Sequence, residues 1–484
     1  GIWMEQNTHS TPQKETMPYM TLENIARACG GVYHGAAELL QREVTGIVTD
    51  SRQAEEGSLF VAIKGERVDG HRFIPAVFEQ GAMAVLCEDA PQMDGCAYIQ
   101  VPSTLEAIKK IAAFYRSALD IPVVGVIGSV GKTSTKEMIA SVLSQKYSVL
   151  KTDGNFNNEI GVPLTIFRIR KEHQVAVLEM GISDFGEMDR LADIAKPDIC
   201  VMTNIGWCHL ENLKTRDGIL KAKTECFAHM REGGTAILNG DDDKLSTQQS
   251  VCGRRPVFYG IPEKMQKAEP GSYEKDPQVY AKDVENLGFE GMKATICTPS
   301  GSFAAEISIP GEHNVYNALA AAAVGITLGL SLEQIAKGIA EAKTIAGRTN
   351  FIRHNGMIII DDCYNANPVS MKASIEVLAH AKGRSIAVLG DMGELGEDEH
   401  ALHYGVGTCV GEQKIHTLFC AGELAAEYKK AAEAVYPECE VYYFKTREEM
   451  TQALLGYVRE GDTILIKASH FMEFPKVVSA LQMQ

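Results

Sequence analysis

No stretch of about 18 consecutive apolar residues occurs in the 484-residue sequence, so no membrane-spanning helix and no membrane insertion are expected. Twelve cysteines are present, yet none forms a Cys-x-x-Cys pair. That absence disfavours both a zinc site and a disulfide framework, and it fits reduced thiols in the cytoplasm, the expected location. Positive charge is also scarce: 47 Lys and Arg stand against 63 Asp and Glu, leaving a net charge of −16. Nucleic acid or an anionic membrane surface is therefore a poor main partner. A small anionic substrate stays open, because it needs only a local positive patch. An apolar signal core is missing as well. Residues 1–16 read as a disordered tail, with Gly1-Ile2-Trp3 ahead of Met4 as a cloning remnant.

What the chain does have is enough length for about three domains and 45% apolar residues, ample for large cores. Its most informative stretch runs Ile121-Pro-Val-Val-Gly-Val-Ile-Gly-Ser-Val-Gly-Lys-Thr-Ser134. A β-branched run reads as a buried strand, a glycine-spaced turn follows, and Thr133 to about Leu143 has helical spacing. Strand, turn and helix together describe a phosphate cradle. Backbone N–H groups of Gly128, Ser129, Val130 and Gly131 face the anion, and the helix N-terminus adds partial positive charge. Lys132 reaches the β/γ-phosphates, the Thr133 hydroxyl sits on Mg²⁺, and Ser134 completes the ATP-binding set. The strict nucleotide-loop spacing is not met, since it places a glycine where Val126 stands.

Before this stretch, residues 17–118 alternate short strands and helices, with Leu22 to Cys29 and Phe73 to Gln80 helical. Two polar clusters lie between them, Asp50-Ser51-Arg52 and Lys64 to Arg72. They suit either a sugar-nucleotide-binding loop or solvated turns.

After it, residues 119–345 alternate strand and helix as in a parallel sheet covered on both faces. Glu179 closes a strand at Val175–Leu178, on the edge where open α/β sheets bind ligands. A carboxylate there is the natural further Mg²⁺ ligand beside Thr133. His209 lies just past the strand Ile199–Thr203, at the same edge. Asn155, Asn157 and Asn158 crowd a turn, where amides either turn the chain or meet substrate. Lys221 and Lys223 are a solvated face or a functional cation. Asn314 and Asn317, with His313, either cap a helix or meet a base or ribose. Cys208 and Cys363 read as fillers, since neither has surroundings that activate a thiol.

Residues 346–484 read as a third, smaller open α/β domain. Its strands Met357–Ile360, Ile386–Leu389 and Thr463–Ile466 end in polar stretches that include Asp362, Tyr364, Asn365, Asn367 and Lys467 to His470. Arg348, at its start, is placed to offset charge on a transferred phosphoryl group.

Gly-Lys-Thr133, Asn157-Asn-x-Ile-Gly-Val-Pro-Leu-Thr165, Glu179-Met-Gly, Thr203-Asn-Ile-x-x-x-His209, Gly311-x-His-Asn-x-x-Asn317-Ala and Asp361-Asp-x-Tyr-Asn-Ala-Asn-Pro368 occur in one order. In that order they resemble the Mur ligases, the ATP-dependent amide-forming enzymes of bacterial cell-wall synthesis. The resemblance runs from about Tyr19 to the C-terminus. It implies three α/β domains: a small mixed N-terminal one, a central parallel-sheet one of the P-loop ATPase type and a Rossmann-like C-terminal one. The stretches 157–165, 361–368 and 389–396 are most similar to the branch that acts on UDP-MurNAc-tripeptide and D-alanyl-D-alanine. ATP would phosphorylate the tripeptide's terminal carboxylate, and the dipeptide amine would displace phosphate to leave an amide.

The resemblance also implies roles. Thr133, Glu179 and His209 surround Mg²⁺, and Lys223, if carbamylated, ligates a second ion. Lys132 and Arg348 act on the transferred phosphoryl group. Asn317, Arg348 and Asp362 meet the nucleotide. Asp50, Ser51 and Arg52 hold the uridine nucleotide, Asn157 and Asn158 belong to the substrate side, and Tyr364, Asn365 and Asn367 meet ATP and the dipeptide. A monomer is expected.

Four positions depart from the family pattern. Lys467-Ala-Ser-His470 stands for Lys-Gly-Ser-Arg, Cys363 stands for serine, and Lys214 stands where glycine is frequent. A sister ligase adding a diamino acid or glutamate is the nearest rival, and the 157–165 stretch speaks against it. A P-loop kinase or a nucleotide switch is the rival from another class. The pair of later domains with polar strand ends favours an enzyme closing over two substrates.

Overall fold

A computed structural model describes residues 14–128, 131–154, 156–182, 185–205, 213–265, 277–343 and 349–484. The expected site residues Ser129, Val130, His209 and Arg348 lie outside the described residues, as do Asn155 and Cys208. The described chain forms two compact units, one from Gly1–Ile121 with Asp153–His173, the other from Pro122–Thr152 with Gln174–Gln484.

The first unit holds five strands: β1 (Val32–His34), β2 (Ile47–Val48), β3 (Leu59–Val61), β4 (Ala84–Cys87) and β5 (Tyr98–Gln100). Their order is β1-β5-β4-β3-β2, parallel except for β1 against β5. The helix Leu22–Cys29 illustrates the local logic. Thr21 caps it by accepting from the Asn24 amide at 3.1 Å, Gly30 ends it at φ +67°, and Leu22, Ile25, Ala26 and Cys29 form the buried stripe. The short helix Gly161–Ile166 packs on the helix Thr104–Ala118. Tyr115 donates to the Ile169 carbonyl and Arg170 to that of Thr45 at 3.0 Å, so the 153–173 segment is anchored in this unit.

The second unit contains a nine-stranded sheet: β6 (Val123–Ile127), β7 (Val149–Lys151), β8 (Val175–Glu179), β9 (Ile199–Met202), β10 (Thr235–Asn239), β11 (Val257–Gly260), β12 (Val279–Asn286), β13 (Met292–Thr298) and β14 (Gly301–Ile307). The order is β14-β13-β12-β11-β10-β9-β6-β8-β7. Strands β6 to β12 are parallel, and β12-β13-β14 is an antiparallel meander. The expected strand–helix alternation gave no sign of this meander. Central strands are apolar on both faces: all five residues of β6 are buried. The helices Lys132–Leu143, His313–Thr327 and Leu332–Glu341 pack together beside the sheet. Gly338 permits the closest approach, because a Cβ there would stand 2.5 Å from Val142 Cα.

Residues 350–467 supply a second, six-stranded sheet: β15 (Asn350–His354), β16 (Met357–Asp361), β17 (Ser385–Gly390), β18 (Thr417–Ala421), β19 (Glu440–Phe444) and β20 (Thr463–Lys467). Its order is β15-β16-β20-β17-β18-β19, parallel apart from β15. Within it His403 is fully buried. Its Nε2 accepts from the Met392 amide at 2.9 Å, so its Nδ1–H is left to donate to the Glu399 carbonyl at 2.6 Å.

Burial pushes the His403 imidazole below its usual range. A base so depressed contributes stability that is present above the unfolded value near 6.5 and is lost as pH falls below it. The urea midpoint of the unit should therefore drop between about pH 7 and pH 5, and His403→Gln should flatten that drop. Equal pH dependence in both proteins would contradict the assignment.

Candidate active site

Strand β6 delivers the chain to Gly128 at its C-terminal end. A Cβ at Gly128 would stand 2.0 Å from Thr203 Oγ1, so only glycine fits beside the residue that follows β9. Gly131 takes φ +74°, with open space where its side chain would be, and the helix Lys132–Leu143 begins at once. The end of β6, an exposed glycine in the left-handed region and a helix N-terminus are thus brought together at the sheet edge.

Two ammonium groups point at this loop: Lys132 Nζ and Lys223 Nζ each donate to the Gly128 carbonyl at 3.0 Å. Lys223 is 1% exposed, so it is no part of a solvated face. Thr133 donates to Glu179, 3.1 and 3.0 Å from its two carboxylate oxygens, and both residues are buried. Glu179 closes β8, the strand beside β6. The hydroxyl and the carboxylate are therefore neighbours, as the sequence led us to expect. They are hard oxygen donors of the kind Mg²⁺ prefers, so the residues present fit that ion.

Asn317 is brought to the same helix. Its Oδ1 accepts from Thr135 Oγ1 at 2.6 Å, and its Nδ2 donates to Asn314 Oδ1 at 3.0 Å. Beside it, Ser134, Thr133, Met138, His313 and Asn314 line a small recess. His313 Nδ1 is buried there with no hydrogen-bond partner among the described residues, and burial lowers this imidazole's pKa.

The ends of β16, β17 and β20 form a second polar edge. Asp362 pairs with Lys467 at 3.0 Å and accepts from Ser374. Lys467 Nζ also donates to the Asp362 and Asn365 carbonyls, at 3.3 and 3.1 Å. Ser469 ties all three strand ends: its amide donates to Asp391 O, its hydroxyl accepts from Gly393 N at 2.8 Å and donates to Ala366 O at 3.4 Å. His470 and Asn365 stay exposed, and the His470 ring lies 6.4 Å from that of Tyr364. Asn367 acts within its own segment, where its Oδ1 caps the helix Pro368–Leu378 through the Ser370 amide at 2.9 Å. Cys363 donates to Asp361, and burial raises its thiol far above the range of a nucleophile.

In the first unit Arg52 folds back on Asp50, with contacts of 2.8 and 3.0 Å, and its side chain is exposed. Asp50 also caps the turn Ser51–Gln53. Asn158 Oδ1 accepts from the Ile160 and Gly161 amides at 3.2 and 2.8 Å, turning the chain into its helix, while Asn157 is half-buried nearby.

Sequence reasoning missed Thr135, Lys136 and Thr152. Lys136 Nζ donates to Thr152 O at 2.6 Å, and Thr152 Oγ1 accepts from the Glu179 amide at 2.9 Å. A signal did exist, since Lys136 follows Lys132 by one helical turn. Lys214 has φ +66°, in the left-handed region that favours glycine.

A parallel sheet with this glycine-lined turn, Lys-Thr pair and neighbouring carboxylate defines a phosphate-loop nucleotide-binding protein. Residues 126–325 match the Mur ligase middle domain, residues 347–470 the Mur ligase, glutamate ligase domain, and residues 43–140 the Mur ligase family, catalytic domain. The chain belongs to the Mur ligase family. It is 37% identical over 466 residues to UDP-N-acetylmuramoyl-tripeptide–D-alanyl-D-alanine ligase of Bacillus subtilis, covering 95% of this chain and 98% of that protein. The enzyme of the same name from Escherichia coli is 34% identical, over 96% of this chain and 98% of that one. Among solved structures, MurF from Acinetobacter baumannii superposes with a TM-score of 0.86 at 33% identity, covering 97% of this chain and all (100%) of that one. MurF from Thermotoga maritima in complex with ADP gives 0.76 at 30% identity, over 90% and 97% of the two chains.

Proposed function

We propose that this chain is an ATP-dependent amide ligase that joins D-alanyl-D-alanine to UDP-MurNAc-tripeptide, yielding UDP-MurNAc-pentapeptide, ADP and phosphate for peptidoglycan synthesis. Full-length similarity to ligases of that name supports the substrates. The observation that carries the chemistry is the buried Thr133–Glu179 pair at the mouth of the Gly128 turn.

In this reading the loop amides and the start of the helix Lys132–Leu143 hold the ATP phosphates. Lys132 leaves the Gly128 carbonyl to reach the β/γ-phosphates. Thr133 and Glu179 would hold Mg²⁺, with His209 as a third donor. Mg²⁺ bound there would offset the charge of the phosphates. Lys223 as an ammonium has no lone pair for a metal, so a ligand role requires its conversion to a carbamate. The recess beside Ser134 and Met138, with the free His313 Nδ1, would meet the base or ribose.

The tripeptide's terminal carboxylate attacks the γ-phosphorus and releases ADP, forming an acyl phosphate. The dipeptide amine then adds to the activated carbonyl, loses a proton, and the tetrahedral intermediate expels phosphate. Two anions must meet in the first step, so Lys132 and Arg348 are assigned to offset their repulsion. Asp50, Ser51 and Arg52 would hold the uridine nucleotide, with Asn157 and Asn158 on the substrate side. Asp362 would order the nucleotide edge of the six-stranded sheet, and Tyr364, Asn365 and Asn367 would meet the dipeptide. We assign residues 17–118, 119–345 and 346–484 to the three steps of holding UDP-substrate, holding ATP and admitting the dipeptide.

A coupled ADP-release assay with UDP-MurNAc-tripeptide, run with and without D-alanyl-D-alanine, tests the proposal. ADP release that needs all substrates, together with a pentapeptide product mass, is expected. Release without joining would redirect the assignment to a sister ligase or a nucleotide switch.

A further inference from the structure

Lys136 is fully buried (0% exposed) in the helix Lys132–Leu143, one turn beyond Lys132. Its Nζ lies 2.6 Å from the Thr152 carbonyl, 3.3 Å from Glu137 and 3.7 Å from Glu179. Burying an ammonium costs several kcal/mol unless it is paired, so its place between two carboxylates asks for a reason.

Holding Glu179 in position is not that reason. The Glu179 amide is fixed by Thr152 Oγ1 at 2.9 Å, and its carboxylate accepts from Thr133 at 3.0 and 3.1 Å. Thr152 is itself held by its amide on Val177 O at 3.1 Å. Both the backbone and the carboxylate of Glu179 thus have anchors besides Lys136. Glu137 does not need Lys136 either, since Lys151 pairs with it at 2.5 Å. What remains is charge. Lys136 already neutralises the carboxylate that Mg²⁺ would have to share.

We infer that Lys136 is a built-in competitor of the divalent cation at Glu179, so that the cation is held firmly only in company with a nucleotide. The inference rests on the reading of Thr133 and Glu179 as cation donors. Like charge beside the site lowers its affinity for a free cation, and phosphate oxygens arriving with that cation restore it. The ion then enters as the nucleotide complex and leaves with the product. A bare buried carboxylate would instead retain it after turnover.

The test is direct cation binding to the purified full chain without nucleotide, using Mn²⁺ by paramagnetic resonance and Mg²⁺ by calorimetry. Lys136→Met should bind about tenfold tighter or better, while Lys136→Arg should stay within about threefold of the parent. Unchanged or weaker binding by a folded Lys136→Met protein overturns the inference. If that variant does not fold, Lys136→Gln is measured by the same criterion. Adding Glu179→Gln to the tighter variant must abolish the gain. A gain that survives places the cation elsewhere and removes the donor reading along with the inference.

Discussion

Lys132→Ala should abolish turnover, lowering kcat/KM by on the order of 1,000-fold or more, while the protein remains folded. The expectation follows from what the side chain does in the structure. Lys132 is half-buried at the first position of its helix, and its hydrogen bond reaches only as far as the Gly128 carbonyl. Losing one such bond costs about 1 kcal/mol, too little to unfold the unit. The same ammonium, turned toward the phosphates, meets charge that grows as the γ-phosphoryl group transfers, and a donor aimed at developing charge counts most in the transition state. The measurement is steady-state ADP release beside a thermal melt. A folded variant retaining more than about a tenth of parent activity would remove Lys132 from the phosphate-handling role.

The second large effect belongs to a residue with no side chain. Gly128→Ala places a methyl group 2.0 Å from Thr203 Oγ1. Thr203 cannot retreat freely, because its amide donates to Ile127 O at 3.0 Å and fixes the end of β9 against β6. We expect a loss of about 1–3 kcal/mol in stability and of nucleotide binding altogether. The double variant Gly128→Ala, Thr203→Ala removes the oxygen and leaves the Cβ of residue 203 3.3 Å away, a tight but tolerable contact. It should recover most of the stability in a urea titration. Failure of the second change to help would show that Gly128 is required for its backbone alone.

These two residues also mark how far the sequence could be read. The strand at β6, the turn and the helix were legible from Ile121 to Leu143, because hydrophobic run, glycine spacing and helical composition agree within one short segment. The ends of β8 and β20 were legible for the same reason. The meander β12-β13-β14 was not, since its antiparallel pairing depends on turns at Gly288–Gly291 and Thr298–Gly301 and not on any change in apolar content. Local amides were legible only as alternatives. Asn158 and Asn367 suit a ligand contact as well as a local one, and the structure shows the local half: each closes a turn or caps a helix. Lys136 was not legible as a buried charge because its partners are distant in sequence: Thr152 just follows β7, and Glu179 ends β8.

The ends of β16, β17 and β20 carry a consequence for how such an enzyme can diverge. Lys467 and Ser469 knit the three strand ends from inside, while His470 and Asn365 stand outside the knit. The scaffold and the surface it presents are therefore separately inheritable. A lineage can exchange an arginine for a histidine at position 470 and alter what the edge touches, while Lys467 and Ser469, which carry the edge, are passed on.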